Sequence, residues 1–160
     1  MAKHPNVGDP APDFELKDQH GQSVRLSALR GEKAALVVFY PWAFSGVCGG
    51  ELQALQARQD EIVSDDLALF TISTDPMYAL RAFADQHGFT FPLLSDFWPH
   101  GAVAASYGVL SDEVGIALRG TFLVDTDGVV RWSVVNGIPD ARDIEDYKTA
   151  IAALRLPSGN

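Results

Sequence analysis

The chain has 160 residues, 47% of them hydrophobic, with no compositional break, which is enough for one globular domain with a sizeable core over residues 1–160. Twelve Lys and Arg against 21 Asp and Glu leave a formal net charge of −9, which repels phosphate backbones and anionic lipid, so neither nucleic acid nor a membrane is an expected partner. MAKHPNVGDPAPDF at the N-terminus has no signal-peptide core, and no stretch approaches the roughly 18 apolar residues of a membrane helix, which makes the cytoplasm the expected compartment.

Phe14-Glu-Leu-Lys17 and Ser23-Val-Arg-Leu26 alternate apolar and polar residues around Asp18-Gln-His-Gly21 and predict an N-terminal β-hairpin. Residues 34–40, AALVVFY, are apolar except for the Tyr40 hydroxyl, the pattern of a central strand covered on both faces. From Cys48 to Val63 the period changes: positions 48, 52, 55 and 62 fall on one helical stripe, so the cysteine starts a helix and points along its core-facing edge. LALFTIS, residues 67–73, reads as a second buried strand. Thr74-Asp-Pro76 then supplies a cap with proline at the first helical position, and Gly88 ends that helix after Leu80, Phe83 and Ala84 have formed its apolar face. Phe91–Leu94 predicts a short strand and the region from Pro99 to Tyr107 a short helix. Residues 120–125 and 129–135 flank Thr126-Asp-Gly128, a hairpin signal, and Ile144, Tyr147, Ile151 and Leu154 mark a last helix. Strands joined through helices are parallel neighbours, and the late hairpin adds antiparallel strands. The order predicts an α/β, thioredoxin-like fold: a central mixed β-sheet flanked by helices, with an N-terminal β-hairpin.

PWAFSGVC, residues 41–48, lies where a central strand gives way to a helix and ends in the only cysteine of the chain. One cysteine forms no intramolecular disulfide, and His4, His20, His87 and His100 do not make a zinc set with it, so no metal or cofactor is expected. The thiol is then a packing atom or a nucleophile. For the nucleophile speak the unpaired N–H groups and positive dipole end of a helix's first turn, which favour thiolate. Pro41 ends the strand and can shield the sulfur, while the Ser45 hydroxyl, three residues back, can return to it. Arg119 interrupts the apolar run GIALRGTFLV just where a strand begins, and its guanidinium needs a partner or an anion. If that strand is antiparallel to residues 34–40, Arg119 is the basic residue nearest the sulfur. A cysteine hydrolase would need a histidine base, and nothing in the sequence links His100 to Cys48.

Pro41-x-x-x-Ser45-x-x-Cys48 with a distant strand-start arginine resembles the active-site signature of the peroxiredoxins, thiol peroxidases on a thioredoxin-like fold. VGDPAPDF, residues 7–14, resembles that family's opening. FPLLSDFWPHGAVAASYGV and GIALRGTFLVD resemble its alkyl hydroperoxide reductase E type, the one-cysteine subfamily of actinobacteria. The resemblance implies that Cys48 attacks the distal oxygen of a hydroperoxide. Arg119, the Ser45 hydroxyl and the N–H groups around residues 47 and 48 would hold both oxygens, and Pro41 would close the pocket. Glu51 matches a position that orients the arginine. Serine replaces the usual threonine at position 45, which keeps the hydroxyl and frees its rotation.

With no second cysteine, the sulfenic acid formed at Cys48 needs an external thiol. The resemblance implies mycothiol with mycoredoxin, or a thioredoxin-like protein. Trp42, Phe44, Phe97 and Trp98 suggest an apolar wall of the substrate pocket favouring alkyl and fatty-acid hydroperoxides over hydrogen peroxide. The same aromatics could instead form a dimer contact, and the resemblance implies a homodimer or higher homo-oligomer that pairs edge to edge through loops around residues 42–45 and 97–100. A disulfide exchanger of Cys-x-x-Cys type is disfavoured by Ser-Gly-Val-Cys at 45–48. A peroxide sensor or redox-regulated holdase using the same cysteine is the alternative to an enzyme.

Overall fold

The computed structural model describes residues 3–155. The seven strands form a single sheet: β1 (Glu15–Lys17), β2 (Ser23–Arg25), β3 (Ala34–Phe39), β4 (Leu67–Ser73), β5 (Leu93–Ser95), β6 (Arg119–Val124) and β7 (Val130–Asn136), in the order β2-β1-β5-β4-β3-β6-β7. Among the described residues four α-helices connect or follow them: α1 (Gly46–Ala57), α2 (Met77–His87), α3 (Ala102–Ser106) and α4 (Ile144–Arg155). β3, β4 and β5 are parallel, whereas β6 runs antiparallel to β3 with Val38 opposite Thr121, and β7 returns antiparallel to β6. The N-terminal hairpin joins the same sheet through Lys17 opposite Ser95. This is the mixed, thioredoxin-like sheet that the order of elements predicts.

Every residue of β3 is buried because both faces are covered. Leu36, Val38 and Tyr40 pack with Leu52 and Leu55 of α1, Leu80 and Phe83 of α2, and Tyr147 and Ile151 of α4. On the other face Val37 and Phe39 pack with Phe70, Tyr107, Phe122 and Phe14. Cys48 belongs to the first cluster.

Several boundaries differ from the sequence expectation. α1 begins two residues before Cys48 and ends at Ala57, and Gln59–Glu61 form a separate 3-10 turn, so Ile62 is buried from outside the helix. Pro76 is the residue before α2 rather than its first, and no side chain caps that helix. Asp75, the expected cap, is engaged elsewhere: its Oδ2 accepts from the Ala43 N–H at 2.8 Å and from the Ser73 hydroxyl at 2.7 Å. β5 and α3 are displaced or shortened relative to 91–94 and 99–107. Gly88 does end α2, in the left-handed conformation at φ 72° that glycine adopts without strain.

Candidate active site

β3 ends at Phe39, and Tyr40 still bonds to β4, its N–H donating to the Ile72 carbonyl at 3.0 Å. Pro41, which is buried, follows with no N–H to continue the ladder, so the chain leaves the sheet. Residues 42–45 turn back over the strand end. Phe44 has φ 67° and lays its ring on Phe83 at 5.0 Å, which fixes the turn from the side of α2. Ser45 is the N-cap of α1, its Oγ accepting from the Cys48 N–H at 3.3 Å. That replaces the expected hydroxyl-to-sulfur contact, because an extended N-cap residue aims its oxygen at the orphan N–H groups of the first turn.

Cys48 is fully buried in the first turn of α1. Two donors face its sulfur: the Trp42 N–H at 3.5 Å and Arg119 Nη1 at 3.3 Å. The antiparallel pairing of β6 with β3 brings the start of β6 to the end of β3, and therefore brings Arg119 to Cys48 across 71 positions of sequence. Arg119 is 1% exposed, and its guanidinium is held by two further contacts, Nη1 to Glu51 Oε1 at 2.6 Å and Nε to the Ile138 carbonyl at 2.6 Å.

Sequence reasoning missed Arg142. It lies between β7 and α4 in GIPDARD, residues 137–143, where an arginine among Pro, Asp and Gly reads as a solvated loop residue. Its side chain is 2% exposed. Glu51 Oε2 accepts from its backbone N–H at 2.7 Å and from Nε at 2.9 Å, while Nη2 donates to Oε1 at 2.8 Å. Nη1 donates to the Gly120 carbonyl at 2.9 Å and the Thr121 hydroxyl at 3.1 Å. Burial pushes the Glu51 carboxyl up, but hydrogen bonds and charge from Arg142, and then the charge of Arg119, outweigh it and hold its pKa below the ordinary carboxylate value. Two guanidinium groups share one carboxylate, so the cluster carries one positive charge in excess beside the sulfur.

The aromatic residues divide. Trp42 and Phe44, 40% and 52% exposed, sit on the turn that carries the sulfur's contacts. Phe97 pairs edge-on with His100, and Trp98 is 80% exposed without an aromatic partner among the described residues. His100 Nε2 bonds to the Gly115 carbonyl at 2.5 Å, and the hydrogen bonds of Cys48 go to Trp42, Ser45 and Arg119 instead. Among the described residues no three His, Cys, Asp or Glu side chains converge as a metal site.

A buried thiol at a helix start, facing an ion-paired arginine on a thioredoxin-like sheet, is the arrangement of the thiol peroxidases. The chain belongs to the AhpC/TSA family, whose model matches residues 7–133, and is a peroxiredoxin with one cysteine. It is 49% identical over 149 residues to alkyl hydroperoxide reductase E of Mycobacterium tuberculosis, covering 93% of this chain and 97% of that protein. The crystal structure of peroxidoxin BcpB from Mycobacterium tuberculosis superposes with a TM-score of 0.84 at 32% identity, covering 96% of this chain and all of that one. The reduced 2-Cys peroxiredoxin of Plasmodium vivax gives a TM-score of 0.84 at 26% identity, over 96% and 88%. The family match stops before Arg142 and α4. No helix among the described residues is long and apolar enough to cross a membrane.

Proposed function

We propose that this thiol peroxidase reduces hydrogen peroxide and alkyl or fatty-acid hydroperoxides at Cys48 through a sulfenic acid, and that an external thiol restores the cysteine. The observation that supports this most is the buried Arg119 guanidinium 3.3 Å from the sulfur, anchored by Glu51 and Ile138. The thiolate gives an electron pair to the distal oxygen, the O–O bond breaks, and negative charge passes to the leaving alkoxide or hydroxide. Donors fixed before reaction lower that barrier because they bind the charge-shifted transition state better than the neutral peroxide. Arg119 and the Trp42 N–H already face the place where the charge starts.

Pro41 closes the pocket from the strand end. The Ser45 hydroxyl spends an acceptor lone pair on the Cys48 N–H and keeps its proton to donate to a peroxide oxygen. Glu51 positions Arg119, and Arg142 positions Glu51. Trp42 and Phe44 offer an apolar surface to an organic peroxide. Exposed Trp42, Phe44, Phe97 and Trp98 support pairing with a second copy through residues 42–45 and 97–100. The likeness to alkyl hydroperoxide reductase E favours mycothiol with mycoredoxin, or a thioredoxin-like protein, as the cytoplasmic reductant.

Mass spectrometry of Cys48 after one equivalent of hydroperoxide, with and without each candidate thiol, tests the reading. A gain of one oxygen that the thiol reverses, with sustained turnover in excess peroxide, is expected. Cys48→Ser abolishes both. Residual rapid reduction in that variant, or a single stoichiometric oxidation with no turnover under any reductant, overturns it.

A further inference from the structure

Tyr40 is fully buried, and its hydroxyl is, among the described residues, the one buried side-chain oxygen or nitrogen with no partner. An unpaired buried hydroxyl costs more than a typical hydrogen bond returns, and phenylalanine would fill nearly the same space without that cost. The side chain lies on the sheet face that carries Cys48, continuing the alternation of Leu36 and Val38 into the cluster of Cys48, Ala43 and Leu52. The charged and polar groups that bear on the hydroxyl are Ser73, Asp75 and Cys48. Ser73 stands beside Tyr40 at the end of β4 and gives its own proton to Asp75; its Oγ is the near oxygen that bears on the Tyr40 hydroxyl but lies short of hydrogen-bond geometry, and the sulfur makes no hydrogen bond to it either. The reduced thiol has other donors: Arg119 comes from β6 and the Trp42 N–H from the turn. Since β3 runs between β6 and β4, Tyr40 at the end of β3 stands between Arg119 on β6 and Ser73 on β4.

We infer that the Tyr40 hydroxyl is the hydrogen-bond donor for the oxygen that oxidation places on Cys48, holding the sulfenic acid and solvating that oxygen when it leaves. This rests on Cys48 being the thiol that peroxide oxidises. In that step sulfur loses two electrons, an S–O bond forms, the O–O bond breaks, and the leaving alkoxide or hydroxide takes its proton from water. The side chain then ends one bond further out in an oxygen acceptor, which the sulfur of the resting protein does not offer Tyr40. In the return step a thiol sulfur bonds to Cys48 Sγ and the S–O bond breaks with its electron pair on oxygen. The oxygen departs as water with the proton of the attacking thiol. Burial raises the pKa of the Tyr40 hydroxyl, so it donates its hydrogen bond throughout without giving up its proton.

Tyr40→Phe in the full chain tests this. After one equivalent of hydrogen peroxide, the variant is expected to form sulfenic acid within about threefold of the wild-type rate, since Arg119 and Trp42 serve that step. Two readouts should move. The pH midpoint for trapping the sulfenic acid with an electrophile rises by about one pH unit, and its reduction by excess 2-mercaptoethanol slows about tenfold. The variant should melt no lower than the wild type, because it loses an unpaired group. In wild type carrying 13C at tyrosine Cζ, the Tyr40 resonance should move on oxidation, a readout independent of how the variant folds. An unchanged trapping profile and reduction rate in Tyr40→Phe, or an unmoved Tyr40 resonance in oxidised wild type, overturns the inference while leaving the peroxidase reading intact. Failure of the wild type to form any sulfenic acid takes down that reading and the inference with it.

Discussion

Arg119 is held by the Glu51 carboxylate and the Ile138 carbonyl, and the Nη1 that bonds Glu51 also faces the sulfur of Cys48. Those anchors matter because an arginine side chain otherwise loses considerable rotamer freedom on being fixed, and here that loss occurs on folding rather than at reaction. Replacing Arg119 by Ala removes a charged donor from the reacting sulfur and should slow oxidation of Cys48 by about 10²- to 10³-fold. Lysine at this position keeps the charge but cannot serve Ile138, Glu51 and the sulfur with a planar fork, so it should restore only part of the rate. Stopped-flow tryptophan fluorescence measures both. A rate within a few-fold of wild type in Arg119→Ala would remove the arginine from the step.

α1 carries glycine at positions 46, 49 and 50, flanking the cysteine, which is a poor composition for a helix start. Gly50 is exposed, and a methyl group added there meets nothing within 4 Å. Gly50→Ala should therefore stabilise the protein by about 0.5–1 kcal/mol. Urea unfolding checks the sign, and destabilisation would mean that the glycine serves a backbone state other than this helix. The elements themselves were legible wherever one physical pattern dominated. Residues 34–40 and 67–73 are dominated by apolar side chains on both faces; β4 spans its run in full, and β3 ends one residue before Tyr40 closes its own. Cap positions were less legible. Asp75 looks like a helix cap in its own neighbourhood, but it bonds to Ala43, 32 positions away, and that competition is invisible along the chain. Arg119 declared itself by breaking an apolar run. Arg142 breaks nothing in a polar loop, and the one hint was the acid at Glu51, which a single arginine does not fill.

Across the whole molecule the formal charge is −9, yet the thiol faces Arg119, which shares the Glu51 carboxylate with a second buried arginine, Arg142. Glu51 holds this excess positive charge in place, and the pH profile follows from the direction of its pKa. A carboxyl whose pKa is lower in the folded protein stabilises it fully above the unfolded value of about 4.3 and ceases to do so as pH falls through the folded value. Protonated, it leaves two buried guanidinium groups facing each other. Wild type should lose melting temperature more steeply on acidification from about pH 6 to about pH 3 than Glu51→Gln does, although that variant starts lower. Other carboxylates titrate in both proteins, notably Glu61, held at about 2 by Arg58 and Lys148, so the difference between the two profiles isolates Glu51. Parallel profiles would show that Glu51 is not the group that couples acid to this site.

The site is assembled from three distant pieces: residues 41–51, Arg119, and the strap from Ile138 to Arg142. The thiol is synthesised first and its last support nearly a hundred residues later. A nascent chain on the ribosome thus carries Cys48 through most of translation with neither arginine beside it. On the proposed function, fast reaction of its sulfur with peroxide begins only when the polypeptide has emerged past Arg142 and folded. Synthesis order would itself then delay oxidation until there is a finished pocket to receive it.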